Sequence, residues 1–96
     1  MYGTIARMKV KPGALPALEK MSQEARSRAK GYVGSYVYQM DKDPNEIYMV
    51  VLFNSKQEYF ANADSPEQNV EYEKMMMFMS AEPEWHDSEV VYADQV

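Results

Sequence analysis

The stretch YVGSYVYQMDKDPNEIYMVVLF, residues 32–53, decides the fold. Two runs rich in tyrosine and β-branched residues flank the hexapeptide Asp41-Lys-Asp-Pro-Asn-Glu46, whose aspartates, proline and asparagine favour a turn. That pattern predicts a hairpin. With Met40 opposite Ile47, one face gathers Tyr36, Tyr38, Met49, Val51 and Phe53, and the other gathers Val33, Val37, Tyr48, Val50 and Leu52. Both faces are then apolar, whereas a sheet wetted on one side alternates apolar with polar. Helices are expected over one face and a partner subunit over the other.

Upstream, Tyr2 to Val10 reads as a strand that stops at the turn Lys11-Pro-Gly13. From Ala14 the period changes, and Leu15, Leu18, Met21, Ala25 and Ala29 recur at three- and four-residue spacing. This predicts an amphipathic helix, with Pro16 tolerated in its first turn and Gly31 placed to cap its end. Downstream, Ser55 and Glu58 have the spacing of a capping box, with Tyr59, Phe60 and Ala63 on the buried side of a short helix. Asp64-Ser-Pro66 interrupts it, and a second helical piece is expected from Glu67 to about Ser80. A last strand is expected from Trp85 to Tyr92, with a tail, 93–96, that is loose or reaches a neighbour. The order β-α-β-β-α-β predicts an α+β, ferredoxin-like fold: a four-stranded antiparallel sheet with its helices on one face.

The 96 residues are expected to form a single domain, 1–96, because so short a chain has surface enough to bury only one core. A net charge of -5 argues against nucleic acid or an anionic membrane as partner. The absence of cysteine excludes disulfides, thiolate metal sites and cysteine nucleophiles. No apolar run reaches the length of a membrane span, and MYGTIARMKV lacks the pattern of a signal peptide, so a cytoplasmic protein is expected.

Candidate chemistry centres on the closing stretch EKMMMFMSAEPEWHD, residues 73–87. On the helix, Tyr72, Met75, Met76 and Met79 fall on one side and Val70, Met77 and Phe78 largely on the other. Its C-terminal half is thus apolar nearly all round, as in a helix buried on both sides or lining a cavity. His86 is the only histidine and the only side chain that ordinarily titrates near neutrality, which makes it the first candidate for a base. Three placements are open to it: half exposed at a strand start, lining a pocket as acid or base, or in an interface. Strand alternation sends Trp85 and Asp87 to one face and His86 and Ser88 to the other, so Asp87 cannot orient His86. A lone histidine without cysteines falls short of the ligand set of zinc or iron, so no metal is expected. Tyr36 and Tyr38, on one face of one strand, could offer two phenols to a ligand or merely pack.

The segment 36–62, YVYQMDKDPNEIYMVVLFNSKQEYFAN, resembles the middle of the antibiotic biosynthesis monooxygenase family, and Pro83-Glu-Trp-His-Asp87 resembles endings seen there. The resemblance implies a homodimeric α/β barrel whose two sheets face one another, and a ligand cavity between sheet and helices in each subunit. Many members carry glutamate-any residue-tryptophan at the end of the third strand and a histidine on the next helix; Val51, Phe53 and Asn62 stand in those places here. Members that oxidise aromatic polyketides use O2 without metal or flavin, so no cofactor is implied. Haem-degrading relatives ligate iron through a histidine on the second helical segment, where this chain has none. The residues singled out for a site are His86 as catalytic group and Tyr36, Tyr38, Phe53, Asn62, Met76 and Trp85 as contacts to a small hydrophobic ligand. Two functions are carried forward: a cofactor-independent monooxygenase acting on an aromatic or polyketide-like molecule, and a non-catalytic dimer that sequesters a small apolar ligand. An isomerase or lyase on the same scaffold, needing one acid/base and no oxygen, is a third.

Overall fold

In the computed structural model, which describes residues 1–95 apart from the Arg26 side chain, the elements are strands β1 (Tyr2–Lys9), β2 (Tyr32–Gln39), β3 (Glu46–Phe53) and β4 (Glu84–Glu89), and helices α1 (Leu15–Arg26), α2 (Lys56–Ala63) and α3 (Pro66–Met76). The last tail residue, Val96, lies outside the described residues. The strands form one antiparallel sheet in the order β2-β3-β1-β4. This is the ferredoxin-like arrangement, with the second helical segment broken in two.

The break has a local cause. Ser65 is extended and its hydroxyl accepts from the Gln68 N–H, so α3 starts with its own cap and with Pro66 in its first turn. Ser55 caps α2 in the same way, accepting from the Glu58 N–H at 3.1 Å while its hydroxyl donates to the Glu58 carboxylate at 3.0 Å.

Alternation along β1 and β3 assigns the two sheet faces. Tyr2, Thr4, Ala6 and Met8 on β1 join Ile47, Met49, Val51 and Phe53 on β3 under the helices, all buried. Leu18 of α1 and Met75 of α3 complete this core together with Val10 and Met79. Rings of Tyr2, Tyr32, Phe53, Tyr59 and Phe60 meet edge to face or tilted, at centroid separations of 5.1–5.8 Å, and join α2 to the sheet.

Three expectations are corrected. Gln39, not Met40, lies opposite Ile47, because the Met40 N–H bonds to the Glu46 carbonyl and the Asp41–Asn45 loop is one residue shorter than expected. Asp43 tightens that loop: one carboxylate oxygen accepts from the Asn45 N–H at 2.9 Å and the other from Lys9 of β1 at 3.2 Å. These contacts hold the Asp43 carboxyl below its ordinary range, the Asn45 hydrogen bond most of all. A one-residue shift turns β2 over. Tyr36 and Tyr38 therefore share a face with Tyr48, Val50 and Leu52, while Val37 joins Met49.

The second correction concerns the methionine helix, which ends at Met76 rather than near Ser80. Beyond it the chain bonds to β1, with Phe78 accepting from the Lys11 N–H and Ser80 donating to the Lys9 carbonyl. Met77 is thereby left 70 % exposed, not buried. The third is that β4 stops at Glu89, so that Val91 and Tyr92 follow it as exposed chain.

Candidate functional site

The three short helices do not fill the space above the sheet. A cavity of about 360 Å³ remains between them, within the size range of small-molecule sites. Met49, Val51 and Phe53 of β3 form its floor, and Met21 and Ala25 of α1, Ala63 of α2, and Tyr72 and Met75 of α3 its walls. The small side chains Ala25 and Ala63 on two helices leave the room that larger residues would occupy. At the sheet edge, Trp85 and Asp87 of β4 look into the same cavity, and the Trp85 ring lies 6.4 Å from that of Tyr72.

Polar groups are few and convergent. The Tyr59 hydroxyl donates to Asp87 Oδ1 at 2.7 Å, while the second oxygen of that carboxylate has no hydrogen-bond partner among the described residues. Burial, and then the hydrogen bond to Asp87, push the Tyr59 phenol well above its ordinary value, so it is a donor throughout the neutral range. Thr4 projects from β1 beside this pair; its Oγ1 is buried and makes no hydrogen bond of ordinary geometry. At the opposite wall Asn62 Nδ2 stands 3.5 Å from Gln68 Oε1, the outer limit of a hydrogen bond. An apolar box with a carboxylate, a phenol and an amide can bind a hydrophobic molecule and accept a proton from it.

The residues expected to form a site divide between the two faces of the sheet. Phe53, Asn62 and Trp85 line the cavity. Met76 packs on the core beside Met75, which lines the cavity in its stead. Tyr36 and Tyr38 do not reach it: they lie on the face turned from the helices, 60 % and 57 % exposed. His86 is on that face too, opposite Ile5, with Nε2 3.0 Å from Glu84 Oε1. The physical reason is the register of β2 for the tyrosines and the alternation of β4 for the histidine.

Tyr59, Asp87 and Thr4 were not among the expected site residues. Alternation did separate Asp87 from His86, and Tyr59 did read as buried. Their contact, however, joins residues 28 positions apart and depends on β4 pairing with β1 beneath α2. Among the described residues no three His, Cys, Asp or Glu side chains are grouped so as to hold a metal ion.

A one-sided helix layer over an antiparallel sheet, with an apolar cavity between, defines a ferredoxin-like scaffold of the α+β class. The chain belongs to the antibiotic biosynthesis monooxygenase family, whose model matches residues 1–70. Among solved structures it is similar to a protein of Chloroflexus aurantiacus, provisionally named as an antibiotic biosynthesis monooxygenase, at 26 % identity and TM-score 0.78, with 98 % of this chain and 96 % of that one covered. It also shares its fold with the cofactor-independent oxygenase SnoaB of Streptomyces nogalater, at TM-score 0.79 and 12 % identity over 96 % of this chain and 94 % of that one. No curated protein matches the chain significantly.

Proposed function

We propose that this protein is a cofactor-independent monooxygenase whose substrate is a small aromatic or polyketide-like molecule bearing an ionisable hydroxyl. The observation that carries this reading is the Asp87 carboxylate, held by Tyr59 at 2.7 Å at the exposed β4 edge of the apolar cavity, with one oxygen free of any hydrogen bond among the described residues. Asp87 accepts the proton of a phenol or enol, and Tyr59 fixes the carboxylate so that the free oxygen points at the substrate. The Asn62 amide stabilises the resulting anion, and the bound ring displaces water from the apolar walls. The electron-rich ring then reduces O2. A carbon–oxygen bond forms at the ring carbon, the peroxide takes back the proton held by Asp87 to give a hydroperoxide, and loss of water from that CH–OOH group leaves a carbonyl, so both oxygen atoms and all protons are accounted for.

The protein acts as a homodimer through the sheet face turned from the helices. Ile5, Tyr36 and Tyr38 are exposed there, beside Tyr48, Val50 and Leu52, an apolar patch of the kind that marks an interface.

The test is oxygen consumption with a panel of anthrones and phenols, with anaerobic controls. Oxygen uptake matched to product is expected. Stabilisation of the protein against heat by the same compounds without oxygen uptake would sink the oxygenase and leave the second reading, a non-catalytic binder. That reading is favoured by one observation: the only histidine lies outside the cavity.

A further inference from the structure

The cavity is not closed on its helix side. A second, wider cleft of about 670 Å³ runs along the outer surface between the end of α1 and the α2–α3 corner. Ala25, Asn62, Gln68 and Glu71 line both spaces and so form the partition between them. That partition is weakly tied, since the Asn62–Gln68 contact is 3.5 Å and among the described residues Glu71 reaches only Lys74, at 3.8 Å. A ligand can therefore extend from the cavity into the cleft past the long Asn62–Gln68 contact.

The lining of the cleft differs in kind from that of the cavity. Arg28 and Lys30 project into it from the turn after α1, and Glu58, Glu67 and Glu71 from α2 and α3. Glu58 is engaged by Ser55, whereas Arg28, Lys30 and Glu67 make no ion pair among the described residues. An anionic group entering the cleft meets three carboxylates, and a cationic group meets the arginine and the lysine. A neutral group rich in hydroxyls escapes both penalties, because a hydroxyl can donate to a carboxylate such as Glu67 and accept from a cation such as Arg28 or Lys30. Ala29, Ala61 and Val70 supply apolar surface for the C–H face of a sugar-like ring. The cleft is on the helix side, away from the sheet face assigned to the partner subunit.

We infer that the cleft is a second subsite, which takes a neutral polyhydroxylated appendage, such as a glycosyl group, carried by the ring system bound in the cavity. This rests on the reading of the cavity as a ligand site. Trp85 is the only tryptophan and lines the cavity, so its fluorescence reports occupancy directly.

The test compares 1,5-dihydroxynaphthalene, its mono-glucoside and its mono-glucuronide by quenching of Trp85. The glucoside is expected to bind roughly tenfold more tightly than the parent ring, and the anionic glucuronide more weakly than the glucoside. In the double variant Arg28→Ala/Glu67→Ala, with the fold checked by circular dichroism, the ratio between glucoside and parent should fall to about one. Equal binding of parent and glucoside, or a ratio untouched by the double variant, overturns the subsite and leaves the cavity intact. A glucuronide that binds more tightly than the glucoside overturns the choice of a neutral appendage. If none of the three quenches Trp85, the cavity reading itself fails and the subsite falls with it.

Discussion

Asp87 and Tyr59 are one chemical unit rather than two residues. Replacing Asp87 by asparagine keeps the shape and removes the proton acceptor, so turnover is expected to fall by roughly 10²- to 10⁴-fold, with quenching of Trp85 by the parent ring measured alongside to separate binding from chemistry. Tyr59 makes a prediction about pH. Its folded-state value is raised, so the neutral phenol contributes stability that is complete below the unfolded value, about 10, and is lost as pH rises through the folded value. Alkaline denaturation followed by circular dichroism should therefore show a decline above about pH 10 that is smaller in Tyr59→Phe. Neither residue stood out in the sequence, because an aspartate and a tyrosine carry no motif; what makes them a candidate site is a tertiary contact. Trp85, Phe53 and Asn62 were legible because their types are scarce or sit at family positions, and His86 attracted attention for its chemistry although its strand turns it away.

At the scale of elements, the local signals for helix starts and strands were readable and the signals for register and helix ends were not. Ser55 announces α2 through its spacing to Glu58, and the break at 64–66 is visible in Ser65-Pro66. The hairpin loop is different: a run of turn formers allows several loop lengths, and only the Asp43 contacts to Asn45 and Lys9 select one. Met77 was misread for a related reason, since helical periodicity continues through Phe78 while the backbone has left the helix to pair with Val10 and Lys11. Gly31 links two elements more tightly than its place near a helix end suggests. Its φ is +82°, its carbonyl accepts from the Asn54 N–H at 2.8 Å, and a Cβ there would press on the Glu58 side chain that caps α2. Gly31→Ala should cost about 1–2 kcal/mol from the backbone alone, and more if α2 loses its cap; urea denaturation measures it.

For the whole molecule, the sheet separates two kinds of surface. The helix side holds the cavity and cleft, and the other side holds an apolar patch next to a charged border in which Arg7 donates to Glu46 at 2.6 Å. Placing a charge in the patch should disrupt association without touching the cavity: Ile5→Asp is expected to shift sedimentation towards a monomer of 11.1 kDa at micromolar concentration, while Trp85 still responds to the parent ring. A monomeric wild-type protein would refute the dimer.

The alternation along β3 has a consequence for how this sequence can vary. Ile47, Met49, Val51 and Phe53 are buried under the helices, and the residues between them, Tyr48, Val50 and Leu52, are already half-buried before any partner arrives. From Ile47 to Phe53 the strand therefore has no position at which a polar substitution would be free of consequence. In a saturation mutagenesis scored for folded, ligand-responsive and dimeric protein, this segment should be the least tolerant in the chain. Its two alternating sets should fail differently, the odd positions losing the fold and the cavity, the even ones losing only the assembly.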